Sequence, residues 1–580
     1  MINDKKKFNW KTLPELFFEE AKKQLDKPLL WYKINNQYKS YSWKIVRKRI
    51  LLLSSKLIQL GIKKGDKVII ISENNPNWFI TDFAIMLTGG ITVPAYTTYT
   101  KKDYEYLIKD SQAKMVFISN KKLFLNFLPA IKNNKQIKNI FSYEKISHGA
   151  NENIIFLEDI WKDNIKEENI KIKIIEDDPA CIIYTSGTSG IPKGVILTHK
   201  SIRSNLIGSL DIFKNINFNN EKYISFLPLS HSYEHTAGQF MPLLTSSEIF
   251  YAENMDKLFT NFKESNPTYI AAVPRFYEAI YKKILNNFSK NKILEKIFNI
   301  NLSLGKKIYL NQKKFLLITR FFKFFFKIII DNKIKKIFGK NLKFFISGGG
   351  ALSYDINIFF EAIGIKILQG YGLTETSPTV SCNRPEFNKI GTVGPPMKGV
   401  EVKIAKDGEI LIKGDLLMKG YLGKEKETKE KIKNNWLHTG DIGKLDEDNH
   451  LIITERKKDI IVTTGGDNIA PQKIENLFKT YDTEAEVLIF GDNKPFLIAL
   501  IFIKKDPLKA SMLDVDNEAK KIDLHIKKIN KKLSPIEKIR KRIFVIGELD
   551  QKSGFLTPTM KIKRKKVYEK YKKRIEKLYN

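Results

Sequence analysis

Along the first 180 positions, apolar residues switch repeatedly between helical spacing and short extended runs. Thr12 caps a first helix, with Pro14 in its first turn. Ser42 caps a second, with Val46, Ile50, Leu53, Leu57 and Leu60 on one side and Gly61 as its stop. "KKGDKVIIIS" reads as a turn and a strand, "NPNWFITDFAIMLTGG" as a helix ended by two glycines, and "ITVPAY" as a strand. Positions 101–111 read as a helix and "AKMVFIS" as a strand. Ala180–Ile183 and Val195–Leu197 read as short buried strands. This alternation predicts an α/β domain of layered sheets and helices, without internal repeats.

Further on, "YISFLPLSHSYEHTAGQFMPLL" (223–244) is a strand, a turn and an apolar helix. Positions 278–345 are mostly helical in period, basic and aromatic. "LKFFISGGGAL" (342–352) and "IKILQGYGLTETSP" (365–378) are strands that deliver Gly-containing turns. Asp407-Gly408 and Asp446–Asn449 mark hairpin turns, and Asp441 follows Trp436–Gly440 in another turn. Beyond Lys458 the pattern becomes a small α+β unit. It has a strand and Gly loop in "DIIVTTGGDNIAP", a helix begun by Pro471 and a hairpin in "EAEVLIFGDNKPFLIALIFIKKD". A polar helix (516–533), a strand (542–546) and a basic terminal helix follow.

Composition narrows the class. A chain of 580 residues is too long for one ordinary core, so two or more domains are expected. Cys181 and Cys382 are the only cysteines; they make no disulfide framework and suit a reducing cytoplasm. "MINDKKKFNWKTLPELF" contains no apolar signal core, and no apolar run approaches the roughly 18–20 residues of a spanning helix. The net charge is +36, from 100 basic and 64 acidic residues. That charge alone suggests nucleic acid or an anionic membrane. The lysines are spread along the whole chain without a nucleic-acid-binding signature, so nucleic acid is not expected. Phe315–Ile330 holds six Phe with Arg320, Lys323 and Lys327 at steps of three or four. It reads as a core helix with a solvated basic edge or as a helix lying on anionic lipid on the inner membrane face.

The chemistry concentrates first in "YTSGTSGIPKGV", Tyr184–Val195. Gly187, Gly190 and Pro192 exclude regular structure there, and Thr185, Ser186, Thr188, Ser189 and Lys193 bring hydroxyls and an ammonium. A loop of this kind at a strand end can cradle a polyphosphate. It lacks the Gly-Lys-Ser/Thr ending of a Walker A motif. The string resembles the phosphate loop of the AMP-forming adenylating enzymes: acyl-CoA synthetases, luciferases and peptide-synthetase adenylation domains. "GYGLTETSP", "HTGD" and "ERKKD" follow in the family's order, so the resemblance covers nearly the whole chain.

The resemblance implies a large domain, 1–456, and a mobile C-terminal lid, 457–580, hinged near Lys458. Residues 278–345 would be the basic aromatic insert typical of long-chain members. The nucleotide would be held by the 185–190 loop (Thr185, Ser186, Gly187, Thr188, Ser189, Gly190), Lys193, Gly349, Gly350, Tyr371, Gly372, Thr374, Asp441 and Arg456. Tyr371 would stack on adenine, Asp441 would accept the ribose hydroxyls, and Glu375 with Thr185 would bind Mg²⁺. "PLSH-x-x-E" resembles long-chain members in which the histidine lies where acyl pocket meets nucleotide, so His231 would gate or line that pocket; His235 receives no role. A zinc site at this histidine pair weighs less than a hydrogen-bonded turn. Glu455 stands where the family more often has Gly. Gly465 and Gly466 would border the CoA channel. In "GFLTPTMKIKRKK" the matching catalytic lysine is Lys561, with Lys563 and Lys565 as alternatives.

The implied reaction is ATP-dependent activation of a medium- or long-chain fatty acid to acyl-AMP, then transfer to CoA. One alternative keeps the adenylation and loads an acyl carrier protein. An alternative of another class, suggested by the charge, is a non-catalytic protein binding membrane or nucleic acid.

Overall fold

The computed structural model describes residues 8–132, 134, 136–146, 154–162, 172–185, 191–216, 218, 220–310, 337–479, 481, 485–504, 512–550, 553–557 and 562–579. Ser186–Gly190 of the phosphate loop, Lys561 and the stretch 315–330 lie outside the described residues.

Two eight-stranded sheets and a five-stranded sheet make the large α/β domain. In the first sheet, Lys67–Ile71, Ile91–Ala95, Met115–Ile118, Asn139–Ser142 and Ile154–Phe156 are parallel neighbours. Pro179–Thr185 joins parallel to Ile91–Ala95, and Lys193–Thr198 turns back antiparallel on it. The second sheet has parallel strands Lys222–Ser225, Glu248–Tyr251, Tyr269–Ala272, Phe344–Ser347 and Ile367–Gly372, with antiparallel pairs at its margins. The third sheet is antiparallel and includes Glu409–Lys413, Trp436–Leu445 and Leu451–Arg456.

The helices form where local signals direct them. Thr12 and Glu15 make a reciprocal capping box on Leu13–Gln24. The Ser42 hydroxyl accepts the Ile45 N–H ahead of Trp43–Gln59. Asn75 accepts two N–H groups and Pro76 follows at the first helical position of Pro76–Leu87. The inward faces of these helices join one apolar core with residues of both large sheets. There Trp43, 1% exposed, stacks on Phe17 with ring centroids 5.8 Å apart. Truncating a buried ring of this size costs about 3–5 kcal/mol.

The smaller C-terminal domain has its own apolar cores on the sheet Ala485–Phe490, Leu497–Ile503 and Ile539–Ile546. Its helices are Pro471–Phe478, Met512–Asn530 and Arg564–Glu576. The polar helix therefore begins at 512 rather than 516 and ends at 530 rather than 533. Ile539 pairs with Leu497 in the ladder, so that strand starts three residues before the expected 542. Among the described residues, no helix is long and apolar enough to cross a membrane.

Candidate active site

Three backbone segments, one from each of the three sheets, converge at the candidate site. Tyr184 and Thr185 belong to one strand of the first sheet and Lys193 and Gly194 to its antiparallel neighbour, with Thr185 opposite Lys193. The flanking ladder therefore continues into the twelve-residue string, through Thr185 and from Lys193 onward. Tyr421, on a two-residue strand opposite Val195, extends this edge.

The second segment is the strand Ile367–Gly372 and the 3₁₀ turn Thr374–Thr376. Gly372 is required by contact: a Cβ there would lie 1.8 Å from the Pro378 carbonyl oxygen. The turn is fixed from several sides. Asn205 Nδ2 donates to the carbonyls of Thr376 and Thr379 at 2.9 and 2.7 Å, and Met418 N–H donates to Glu375 O at 2.9 Å. Backbone held this firmly fixes the point from which the Glu375 side chain extends. Ser232 and Thr374 hydroxyls lie 3.1 Å apart, tying the turn to the histidine-bearing segment. Gly349 and Gly350 follow the neighbouring strand end, Phe344–Ser347.

The third segment corrects an expectation. Asp441 stands on the long strand Trp436–Leu445, not in a turn. A register shift just beyond it, between Ile442 and Gly443, breaks the regular ladder and leaves Asp441 directly opposite Arg456. Arg456 Nε lies 3.3 Å from Asp441 Oδ1, and Tyr371 Oη donates to Asp441 Oδ2 at 2.7 Å. Thr439 Oγ1 accepts the Asp441 N–H at 3.0 Å and itself donates to the Ile410 carbonyl oxygen at 2.7 Å. Burial and the adjacent carboxylate hold the Tyr371 phenol far above its usual range, so it remains a donor.

The phosphate-loop lysine and the candidate metal carboxylate are joined by a residue given no role from sequence. Tyr421 Oη donates to Glu375 Oε1 at 2.8 Å, and Lys193 Nζ lies 5.1 Å from the centre of the Tyr421 ring. Lys193 Nζ also pairs with Glu427 Oε2 at 2.8 Å. Thr185 and Glu375 offer hard oxygen donors, the set that suits Mg²⁺. Another group that geometry alone would suggest is Asp446, Asp448 and His450. Lys389 Nζ, 2.8 Å from Asp446 and 2.5 Å from Asp448, supplies the positive charge there.

An apolar cavity adjoins the turn. Ile212, Phe213, Phe218, Met241, Phe344 and Ile346 line it, with Tyr233, Thr236, Ala237, Pro378 and Thr379 at other walls. Tyr233 links cavity and glycine turn: a Cβ on Gly348 would meet its ring at 3.0 Å. His231 caps the following helix, its Nδ1 accepting the Tyr233 N–H at 3.2 Å, and is not among the cavity-lining residues.

Behind the cavity wall the helix carries buried polar groups that periodicity did not distinguish. Glu234 accepts from Tyr223 Oη at 2.9 Å and Ser225 Oγ at 2.7 Å, and burial pushes its carboxyl up to about 8. His235 Nε2 and Gln239 Nε2 lie 2.8 and 2.6 Å from Asp82 Oδ2. Asp82 was hidden inside an apolar helix, and only its charge at a core position could have singled it out.

At the boundary with the small domain, burial and the Arg456 guanidinium pull the Lys458 ammonium below the ordinary lysine value. Glu455 accepts the backbone N–H of Arg456 at 2.9 Å and, through its other oxygen, that of Gln472 at 3.1 Å. It thus touches the start of the first small-domain helix. Arg275–Glu486 at 3.0 Å and Lys479–Glu278 at 2.7 Å are further contacts between the domains. Gly465 and Gly466 form the turn between Ile461–Val462 and Asn468–Ile469.

Comparison with known proteins agrees with this architecture. The family described as AMP-binding enzyme matches residues 17–422, and the AMP-binding enzyme C-terminal domain matches 458–580. The long-chain-fatty-acid–CoA ligase FadD15 of Mycobacterium tuberculosis is 31% identical over 567 residues, covering 90% of each chain. The chloroplastic long-chain-fatty-acid–[acyl-carrier-protein] ligase AEE15 of Arabidopsis thaliana is 27% identical, over 98% of this chain and 87% of that protein. The anthranilate CoA ligase AuaEII, solved with anthranoyl-AMP, shares the fold with a TM-score of 0.76 and 19% identity, over 97% of this chain and 98% of that one. The chain belongs to the AMP-binding enzyme family, the AMP-forming adenylating enzymes, and stands close to its long-chain fatty-acid–CoA ligases.

Proposed function

We infer that the chain is an ATP-dependent ligase that activates a long-chain fatty acid to acyl-AMP and passes the acyl group to CoA. The observation that carries this reading is a pair of contact lines, Lys193–Tyr421–Glu375 and Tyr371–Asp441–Arg456, beside an apolar cavity. The polar line suits a nucleoside triphosphate. The cavity suits an alkyl chain, which gains about 0.8 kcal/mol for each methylene removed from water.

In this reading Asp441 accepts the ribose hydroxyls while Tyr371 fixes its carboxylate and offers a ring face to adenine. Gly349, Gly350, Gly372 and Thr374 shape the base and α-phosphate side. Arg456 donates to ribose and phosphate. Lys193 and the 185–190 loop hold the β- and γ-phosphates. Glu375 and Thr185 would hold Mg²⁺, which would supply charge neutralisation for the triphosphate. His231 stands at the entrance between acyl and nucleotide sites.

A carboxylate is a poor acyl donor because its leaving group would be oxide. One carboxylate oxygen therefore attacks the α-phosphorus, and the bond to the β-phosphate oxygen breaks, releasing pyrophosphate. Charge grows on the α-phosphoryl oxygens, so positioned cations and donors stabilise the transition state most. Lys561 is assigned to the attacking carboxylate and the α-phosphate. The CoA thiolate then attacks the acyl carbon, the carbon–oxygen bond breaks and AMP leaves. Between the two steps the 457–580 lid turns about Lys458, bringing Gly465 and Gly466 to the CoA channel.

A carrier-protein acceptor is the second reading, supported by the likeness to AEE15. Release of acyl-CoA from free CoA without any carrier separates the two. The 278–345 region, through 315–330, is assigned to contact with an anionic membrane surface, with the protein peripheral on its cytoplasmic side. Pelleting with anionic vesicles and its loss on replacing Arg320, Lys323 and Lys327 tests that assignment.

A further inference from the structure

Tyr421 and Glu427 have no place in the assignments above, yet they contact both ends of the phosphate site. The Tyr421 hydroxyl gives its proton to Glu375 Oε1 at 2.8 Å. The face of the same ring lies 5.1 Å from Lys193 Nζ. A phenol can serve both neighbours, because its edge is a donor and its face attracts cations. Its backbone is fixed: Tyr421 N–H donates to Thr428 Oγ1 at 2.9 Å, and Tyr421 is paired in the ladder opposite Val195.

Glu427 comes from the helix Glu425–Lys431 and puts Oε2 2.8 Å from Lys193 Nζ. The Lys193 and Glu427 side chains are 25% and 39% exposed, with the Glu427 Oε2 that meets Lys193 itself shielded from water. Such a pair contributes only about 0.2–1 kcal/mol. A triphosphate, carrying several charges on one ligand, outcompetes one carboxylate for the same ammonium.

We propose that Tyr421 is a positioning residue that sets Glu375 and Lys193 in register, and that Glu427 is a removable counterion on Lys193 that the triphosphate displaces. The proposal rests on the reading that Glu375 binds the metal and Lys193 the polyphosphate. Its consequences run in opposite directions. Removing the Tyr421 hydroxyl frees the Glu375 carboxylate to rotate and weakens metal binding. Removing the Glu427 charge relieves competition and tightens ATP.

The test measures Mn²⁺ binding by electron paramagnetic resonance in the presence of ATP, and ATP affinity by calorimetry, on the full chain. Tyr421→Phe keeps the ring and should weaken Mn²⁺ about tenfold through loss of one hydrogen bond to a charged group, with ATP affinity changed much less. Glu427→Gln should tighten ATP about threefold, with a smaller gain as salt is raised. Unchanged Mn²⁺ affinity in Tyr421→Phe, or unchanged or weaker ATP binding in Glu427→Gln, overturns the proposal. Thermal melting of each variant separates these shifts from misfolding. Glu375→Gln and Lys193→Met serve as references: if they leave Mn²⁺ and ATP binding intact, the reading beneath the proposal has failed.

Discussion

Tyr371 donates its phenolic proton to Asp441 at 2.7 Å, across 70 positions of sequence and from one sheet to another. The bond ties the strand that leads to Glu375 to the strand paired with the one ending at Arg456, so the candidate site is set by docking of two sheets. Asp441→Asn keeps the shape and removes the charge that meets Arg456 and that is proposed to accept the ribose hydroxyls. ATP affinity should fall about 10- to 100-fold, the cost of hydrogen bonds to a charged acceptor. Calorimetric titration checks this, and unchanged affinity removes Asp441 from the ribose site.

Lys561→Ala separates the two half-reactions. Loss of one donor to the developing phosphoryl charge should slow adenylation about 10²- to 10³-fold. Thioester formation from supplied acyl-AMP should be spared. Pyrophosphate exchange and thioester formation, assayed separately, read the two steps; equal loss in both contradicts the assigned role.

The cavity predicts a change in chain-length preference. Ala237 lines it, and Ala237→Phe would fill space that an alkyl chain needs. Each excluded methylene forfeits about 0.8 kcal/mol, a factor of about four. The preferred acid should therefore become shorter, with the largest loss of kcat/KM for the longest acids. A uniform loss across the series would place the acyl chain elsewhere.

Glu234 predicts a pH effect of known sign. Its carboxyl is raised to about 8 in the folded chain by burial, above its ordinary value of 4.5. The folded state then holds a proton that the unfolded state has released. This contribution to stability is present below pH 4.5 and is lost as pH rises through about 8. Glu234→Gln removes it, so variant minus wild-type melting temperature should increase from pH 6.5 to 8.5. A flat difference contradicts the buried, protonated carboxyl.

The elements that sequence made legible are those in which local chemistry acts alone. The caps at Thr12 and Ser42, the helix start at Pro471 and the strand–helix alternation needed only near neighbours. The nucleotide motifs were legible because "YTSGTSGIPKGV", "GYGLTETSP" and "HTGD" crowd unusual residue types into short strings. Tyr421 sits in an ordinary "KGYLG", and its link to Glu375 spans 46 positions. Asp82 and His235 meet across 153 positions inside the core. Such pairs come from packing of sheets and helices, which no local spacing records. His-Thr-Gly-Asp reads as a turn, whereas Asp441 is paired in the ladder opposite Arg456.

The most direct test of the account is AMP release by the full chain with ATP, Mg²⁺, CoA and fatty acids of increasing length. The account predicts one AMP and one acyl-CoA per acid consumed, with the highest kcat/KM for long-chain acids and no carrier protein needed. Absence of ATP–pyrophosphate exchange with every carboxylic acid tried would contradict it.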